Sequence, residues 1–299
     1  MLWIWLSLIA AFFFAIRHVI IKRYLANADV LLTAFVYRLF SILYLLPLLF
    51  LYDLVRIESL KFWIVTLFTA ILTAGASIMQ IKALQKYDLS SSVPFLAFVP
   101  LFMILPVYFL FHELPDLTSL LGVILLSLGA IIINATNKND LFLIFRNFIR
   151  NKGAILFFGV AILYGISTTY DRVAILEAEN SGFTYTFYWH VISVFIFSLI
   201  FFNFKRIPYY ISDIKIHIKG FALQAFFGIV AFFMQMLAVE FAKNVIANVL
   251  YIKAITLFQL LISVFFGIIL FKEKNAIYRI VGAVAMITGA IIIIFMSYK

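Results

Sequence analysis

Cysteine is absent from the 299 residues, so disulfides, thiolate metal sites and a cysteine nucleophile are excluded together. Charge is scarce as well: charged residues make up 12% of the chain, against about 25% in soluble domains. Acids are the scarcer sign, with 13 Asp and Glu against 23 Lys and Arg. At 66% hydrophobic and a mean hydropathy of +1.14, the chain has too few polar side chains to cover a water-soluble surface. Lipid is therefore the solvent for most of it. There is no phosphate-cradling glycine loop, no His/carboxylate cluster at metal spacing and no Ser-His-Asp arrangement that spans could assemble. An enzyme, an ATP hydrolase, a bound metal and a cofactor are accordingly not expected. The net charge of +10 would suggest nucleic acid in a soluble protein. Here the basic residues lie between apolar runs, where topology and anionic headgroups account for them, and no nucleic-acid partner is expected.

A helix needs about 20 apolar residues to cross the hydrocarbon core. Ten such segments can be drawn, roughly 2–22, 30–52, 61–84, 88–112, 117–135, 153–175, 182–204, 217–241, 244–272 and 276–298. Backbone groups cannot go unpaired in hydrocarbon, and the alternation of a barrel strand is missing, so the expected class is all-α transmembrane with ten helices. The first segment opens at Leu2 with no basic region before it and no small-residue cleavage site after it. It reads as a span, not as a removed signal.

The chain repeats itself. Gly122-Val123-Ile124-Leu125-Leu126-Ser127-Leu128-Gly129-Ala130-Ile131 returns 160 positions later as Gly282-Ala283-Val284-Ala285-Met286-Ile287-Thr288-Gly289-Ala290-Ile291. Each copy follows an apolar run closing on a glutamate, Glu113 or Glu273. Ala11, Phe14, Ala15, Ile16 and Lys22 match Ala161, Tyr164, Gly165, Ile166 and Arg172 at an offset of 150. The expected division is a first five-helix unit at 1–135, a connector at 136–152 and a second unit at 153–299. With an odd number of spans per unit, the second enters the membrane upside down, an inverted repeat whose binding site lies near the midplane between the halves. Two stretches read as interfacial connectors: 141–150, with Arg146 and Arg150 one turn apart, and 207–219. Loops on the side of the helix 1–2 connection carry fourteen Lys and Arg, the side of the termini five, and the spans the remaining four of the 23. By loop charge both termini lie outside the cytoplasm.

The four basic residues within spans are Arg17, Arg38, Lys82 and Lys253. Intramembrane cations are costly and by default mark a pathway or a ligand, the alternative being a side chain that snorkels to the interface. Snorkelling suits Lys82, near the end of its span, and is open for Arg17. Lys253 lies about nine residues inside the ninth span, roughly 13 Å deep, with Thr256, Gln259 and Ser263 on the same arc. Arg38 aligns with His190 in the second helix of each half. His190 could couple transport to protons or serve as a hydrogen-bonded packing residue. Met79-Gln80 and Met234-Gln235 also correspond between halves, and with Thr73, Ser77, Gln224 and Gly228 they could line a cavity or pack helices closely. Glu240 could pair with Lys243. Pro94, Pro100 and Pro106 must kink or break the fourth span, whereas the ninth has no proline.

Two five-helix halves, the polar starts of the fourth helices (Asp88-Leu89-Ser90-Ser91-Ser92-Val93-Pro94 and Asn244-Val245-Ile246-Ala247-Asn248) and glycine-spaced fifth helices make the chain resemble the drug/metabolite transporter superfamily, EamA-type branch. The resemblance implies both termini in the cytoplasm, opposite to the charge count. It also implies export of amino acids or other small metabolites, with organic phosphates carried by relatives. No buried carboxylate matches the central glutamate of the small multidrug members, so a cationic drug is disfavoured. The expected function is a secondary transporter in a bacterial inner membrane, moving a small polar solute with an anionic group. Lys253, Arg38, Arg17, His190, Gln80, Gln235, Thr256 and Gln259 are its candidate solute-binding residues, with proton coupling or solute exchange as the open drives. The alternatives are an organic-phosphate or nucleotide-type exchanger, which needs two or more of Arg17, Arg38 and Lys253 to converge, and a lipid-headgroup flippase.

Overall fold

The computed structural model describes residues 2–87, 93–112, 116–132, 152–201, 207–242, 248–271 and 276–296. Among these the secondary structure is helical throughout: α1 (Leu2–Tyr24), α2 (Val30–Leu45), α3 (Leu60–Lys86), α4 (Val99–Phe111), α5 (Leu117–Ile132), α6 (Lys152–Glu177), α7 (Gly182–Phe201), α8 (Ile207–Phe241), α9 (Asn248–Thr256), α10 (Phe258–Phe271) and α11 (Ala276–Met296). A 3₁₀ turn at Leu46–Phe50 extends α2, and another at Val93–Phe98 precedes α4. Six helices are long and apolar enough to cross a bilayer, and four shorter apolar helices fall on the fourth, fifth, ninth and tenth expected spans. The protein is a multi-pass α-helical membrane protein. Its surface accordingly shows Trp5, Phe50, Phe109, Phe195 and Leu199 to lipid, while Arg, Asp, Gln, Ser and Thr side chains sit inside. Glu113, Glu273 and the connector 141–150 lie outside the described residues.

Side-chain caps set several boundaries. Asp29 accepts a bond from Leu32 N–H at 2.9 Å to start α2, and Ser181 accepts one from Thr184 N–H at 3.1 Å to start α7. Glu240 closes the same end of α7 from another helix, its Oε2 accepting from Gly182 N–H at 2.8 Å. Its carboxylate thus serves a helix N-terminus, a favourable place for negative charge. The second stretch expected as a connector is instead the opening of α8, a single helix of 35 residues. Its polar and apolar residues belong to the first turns of a helix that continues into the membrane.

Both the fourth and the ninth spans are interrupted. Prolines explain the fourth: Pro100 sits in the first turn of α4, where it is tolerated, and Pro106 removes an interior backbone bond. The ninth breaks at Leu257 without proline. There Leu257 N–H turns to Ala254 O at 3.0 Å, a three-residue step that leaves Lys253 O without its usual donor. The Thr256 hydroxyl fills that vacancy at 2.7 Å.

The packing exchanges partners between halves. α1 packs on α8 and α3 on α6; α2 meets α8 as α7 meets α3; α4 lies on α6 as α9 and α10 lie on α1. α2 faces α7, and α5 faces α11. The repeated glycines make the last contact. A Cβ on Gly122 would stand 3.0 Å from Gly289 O, and one on Gly129 would stand 2.7 Å from Gly282 O. Contact between 122 and 289, then between 129 and 282, means that these equivalent helices run antiparallel. Small residues at this crossing let the two backbones touch.

Candidate functional site

The helices of both halves surround a central cavity of about 80 Å³. That is room for several waters or a small solute. Six of the eight candidate residues line it: Arg17, Arg38, Gln80, Gln235, Lys253 and Gln259. His190 and Thr256 do not. His190 Nδ1 donates to Thr186 O at 2.8 Å, and the ring packs among Trp189, Phe232 and Tyr37 behind the wall. Thr256 is occupied with the helix break. Lys82 is exposed and does not line the cavity.

The three cations are held differently. Arg38 is clamped: its two terminal nitrogens donate to Ala34 O at 2.9 Å and Ser77 Oγ at 2.7 Å, and its guanidinium stacks 4.2 Å over Phe197. Arg17 lies 4.5 Å over the Tyr37 ring, with Nε lacking a hydrogen-bond partner. Gly228 makes room for this pair, since a Cβ there would meet Tyr37 and stand 2.9 Å from Arg17 Cδ. The Lys253 ammonium stands 5.4 Å from the Tyr164 ring, and the side chain is 9% exposed. Among the described residues, ion pairs within 4.0 Å are Arg56–Glu58, Lys61–Glu177 and His217–Asp213, so none of the three cavity cations has a carboxylate partner. Unpaired buried charge is expensive, and here it faces open space.

A polar bridge spans the halves beside these cations. Tyr164 OH donates to Gln80 Oε1 at 3.0 Å, and Gln80 Nε2 lies 3.3 Å from His18 Nε2. Gln80 and Gln235, equivalent in sequence, thus reach one cavity from α3 and α8.

The expectation that the cavity lacks a carboxylate is corrected by Asp171. It lines the cavity from α6, is 4% exposed, and accepts a short hydrogen bond from Tyr185 OH. Its neighbour Arg172 masked it. That arginine counts as a loop residue on charge alone, yet α6 runs on to Glu177 and Arg172 is buried, donating to Asn180 Oδ1 at 2.7 Å and Val239 O at 3.1 Å. The signal was already in the expected span 153–175, which contains both residues; α6 places Asp171 six residues from its end, about 9 Å inside it.

Residues 1–135 match the model of the EamA-like transporter family. Over this stretch the chain is similar to the EamA-like transporter family. Among curated proteins nothing matches it. A solved crystal structure of a protein superposes on it with a TM-score of 0.63 at 10% identity, covering 99% of this chain and 98% of that chain. At such identity the likeness concerns the fold alone. The superposition also covers the second half, which the family match does not reach. Members of the matched family are membrane transporters.

Proposed function

We propose that this protein is a secondary transporter for a small polar metabolite bearing an anionic group, an amino acid or related compound. One observation carries the reading: Arg17, Arg38 and Lys253 face a single cavity, and among the described residues none has a carboxylate within 4.0 Å. A bound anion would supply the missing partner. The exchange of packing partners and the antiparallel α5–α11 crossing support units 1–135 and 153–299 related as inverted repeats, with 136–152 joining them. Such a pair moves solute by rocking about a central site. Contacts between halves occur at separate connections: Ser59 and Lys61 meet Glu177 at 2.6 and 2.8 Å, and Asp29 N–H meets Asp213 Oδ2 at 3.0 Å. Alternating access would break one set while keeping the other. Export across a bacterial inner membrane is the direction and place this reading takes.

The convergence of the three cations also favours a second reading, an organic-phosphate exchanger, because a dianion needs more than one of them. Uptake and efflux in proteoliposomes against amino acids and organic phosphates separate the two. Saturable movement of an amino acid supports the first; phosphate-ester exchange without amino-acid movement replaces it with the second.

A further inference from the structure

We infer that Asp171 receives a cationic amino group of the solute, so that the cavity selects zwitterions over plain anions. The inference rests on the transport reading above and narrows its substrate class. Asp171 is held from two sides: Tyr185 on α7 donates to Oδ1, and the Tyr185 hydroxyl lies 3.0 Å from Thr69 Oγ1 on α3. These bonds fix the carboxylate and use one of its oxygens. Thr69 also stands within hydrogen-bonding reach of the carboxylate, and among the described residues no cation lies within 4.0 Å of the group.

The Lys253 ammonium has no hydrogen bond or ion pair either, though both side chains line the same cavity. A carboxylate and an ammonium that feel each other across a low-dielectric space without a direct bond are compensated only in part. A solute carrying one ammonium and one carboxylate satisfies both at once. A monocarboxylate leaves Asp171 uncompensated, and a phosphate dianion adds repulsion against it. Phe14, Leu96, Val99, Phe232 and Leu257 supply apolar wall for the rest of the molecule. The class that fits is an α-amino acid with a small or apolar side chain.

Trp189 lines the cavity and gives an intrinsic fluorescence readout for the purified full chain. The probes are matched pairs that differ in the amino group, L-alanine with L-lactate and L-phenylalanine with L-phenyllactate, together with inorganic phosphate. The wild type should bind at least one amino acid tenfold or more tightly than its hydroxy partner. Asp171→Asn should bring that ratio towards one by weakening the amino acid alone, whereas Lys253→Ala should weaken both members. Equal affinity within both pairs in the wild type overturns the inference while the transport reading stands, and needs no variant to fold. Discrimination that survives in Asp171→Asn also overturns it, leaving the carboxylate as a proton carrier. Absence of binding by all four acids and by phosphate sinks both readings.

Discussion

Replacing Lys253 with Met should make the protein more stable and less able to bind. The side chain is nearly sealed, its ammonium stands 5.4 Å from the Tyr164 ring, and among the described residues no acid lies within 4.0 Å of it. Insertion scales put a lysine at a helix centre at about 2.5–3.5 kcal/mol. Methionine keeps the alkyl volume and removes that cost, though the cavity's own polarity returns part of it. A net gain of about 1–2 kcal/mol follows, or roughly 2–6 °C in Tm for a chain of this size. A charge-assisted hydrogen bond to a solute carboxylate contributes about 1.5–3 kcal/mol, so Kd should rise about 10- to 150-fold. Lys253→Arg should keep part of the affinity, since the charge survives while its geometry changes. Differential scanning fluorimetry and ligand titration on the same preparation read both quantities. A Lys253→Met protein that melts lower and binds normally would mean a structural lysine and refute this reasoning.

Two glycine substitutions test the surroundings. Gly228→Ala places a Cβ against Tyr37 and 2.9 Å from Arg17 Cδ, so it should displace the arginine and weaken solute binding about tenfold, with little loss of folded protein on size exclusion. Gly129→Ala points a Cβ at backbone, 2.6 Å from Met286 N and 2.7 Å from Gly282 O, and cannot be relieved by a side-chain rotation. It should cost about 1–3 kcal/mol, read as a lower Tm in detergent, while affinity in the surviving folded fraction stays unchanged.

Ten spans were legible because hydrocarbon length and backbone pairing leave helices few alternatives, and the glycine repeat was legible because close approach admits few other residues. Arg17, Arg38 and Lys253 stood out by cost: a cation inside a span needs a reason. Asp171 did not stand out, because Arg172 beside it was counted with the loop charges although the expected span 153–175 contains both; α6 holds the two within one helix. The break at Leu257 was hidden because no proline marks it; its signature is a threonine hydroxyl bonded three residues back. His190 matched Arg38 in the aligned halves, yet equivalence of position did not carry a place on the cavity wall, since Trp189 and Phe232 stand around it.

The chain has no native cysteine, so a single thiol in the cavity reports on solvent access without background. Ser167 lines the cavity, is 1% exposed and makes only a long hydrogen bond, 3.4 Å to Tyr164 O, so Ser167→Cys should be tolerated. The most direct measurement is its labelling by a membrane-impermeant maleimide applied to each face of the membrane in turn. A solute cavity served by alternating access predicts labelling from both aqueous faces and slowing by the transported amino acid. Labelling by a lipid-soluble maleimide alone, with the impermeant reagent excluded from both faces, would contradict it and place the opening towards the bilayer.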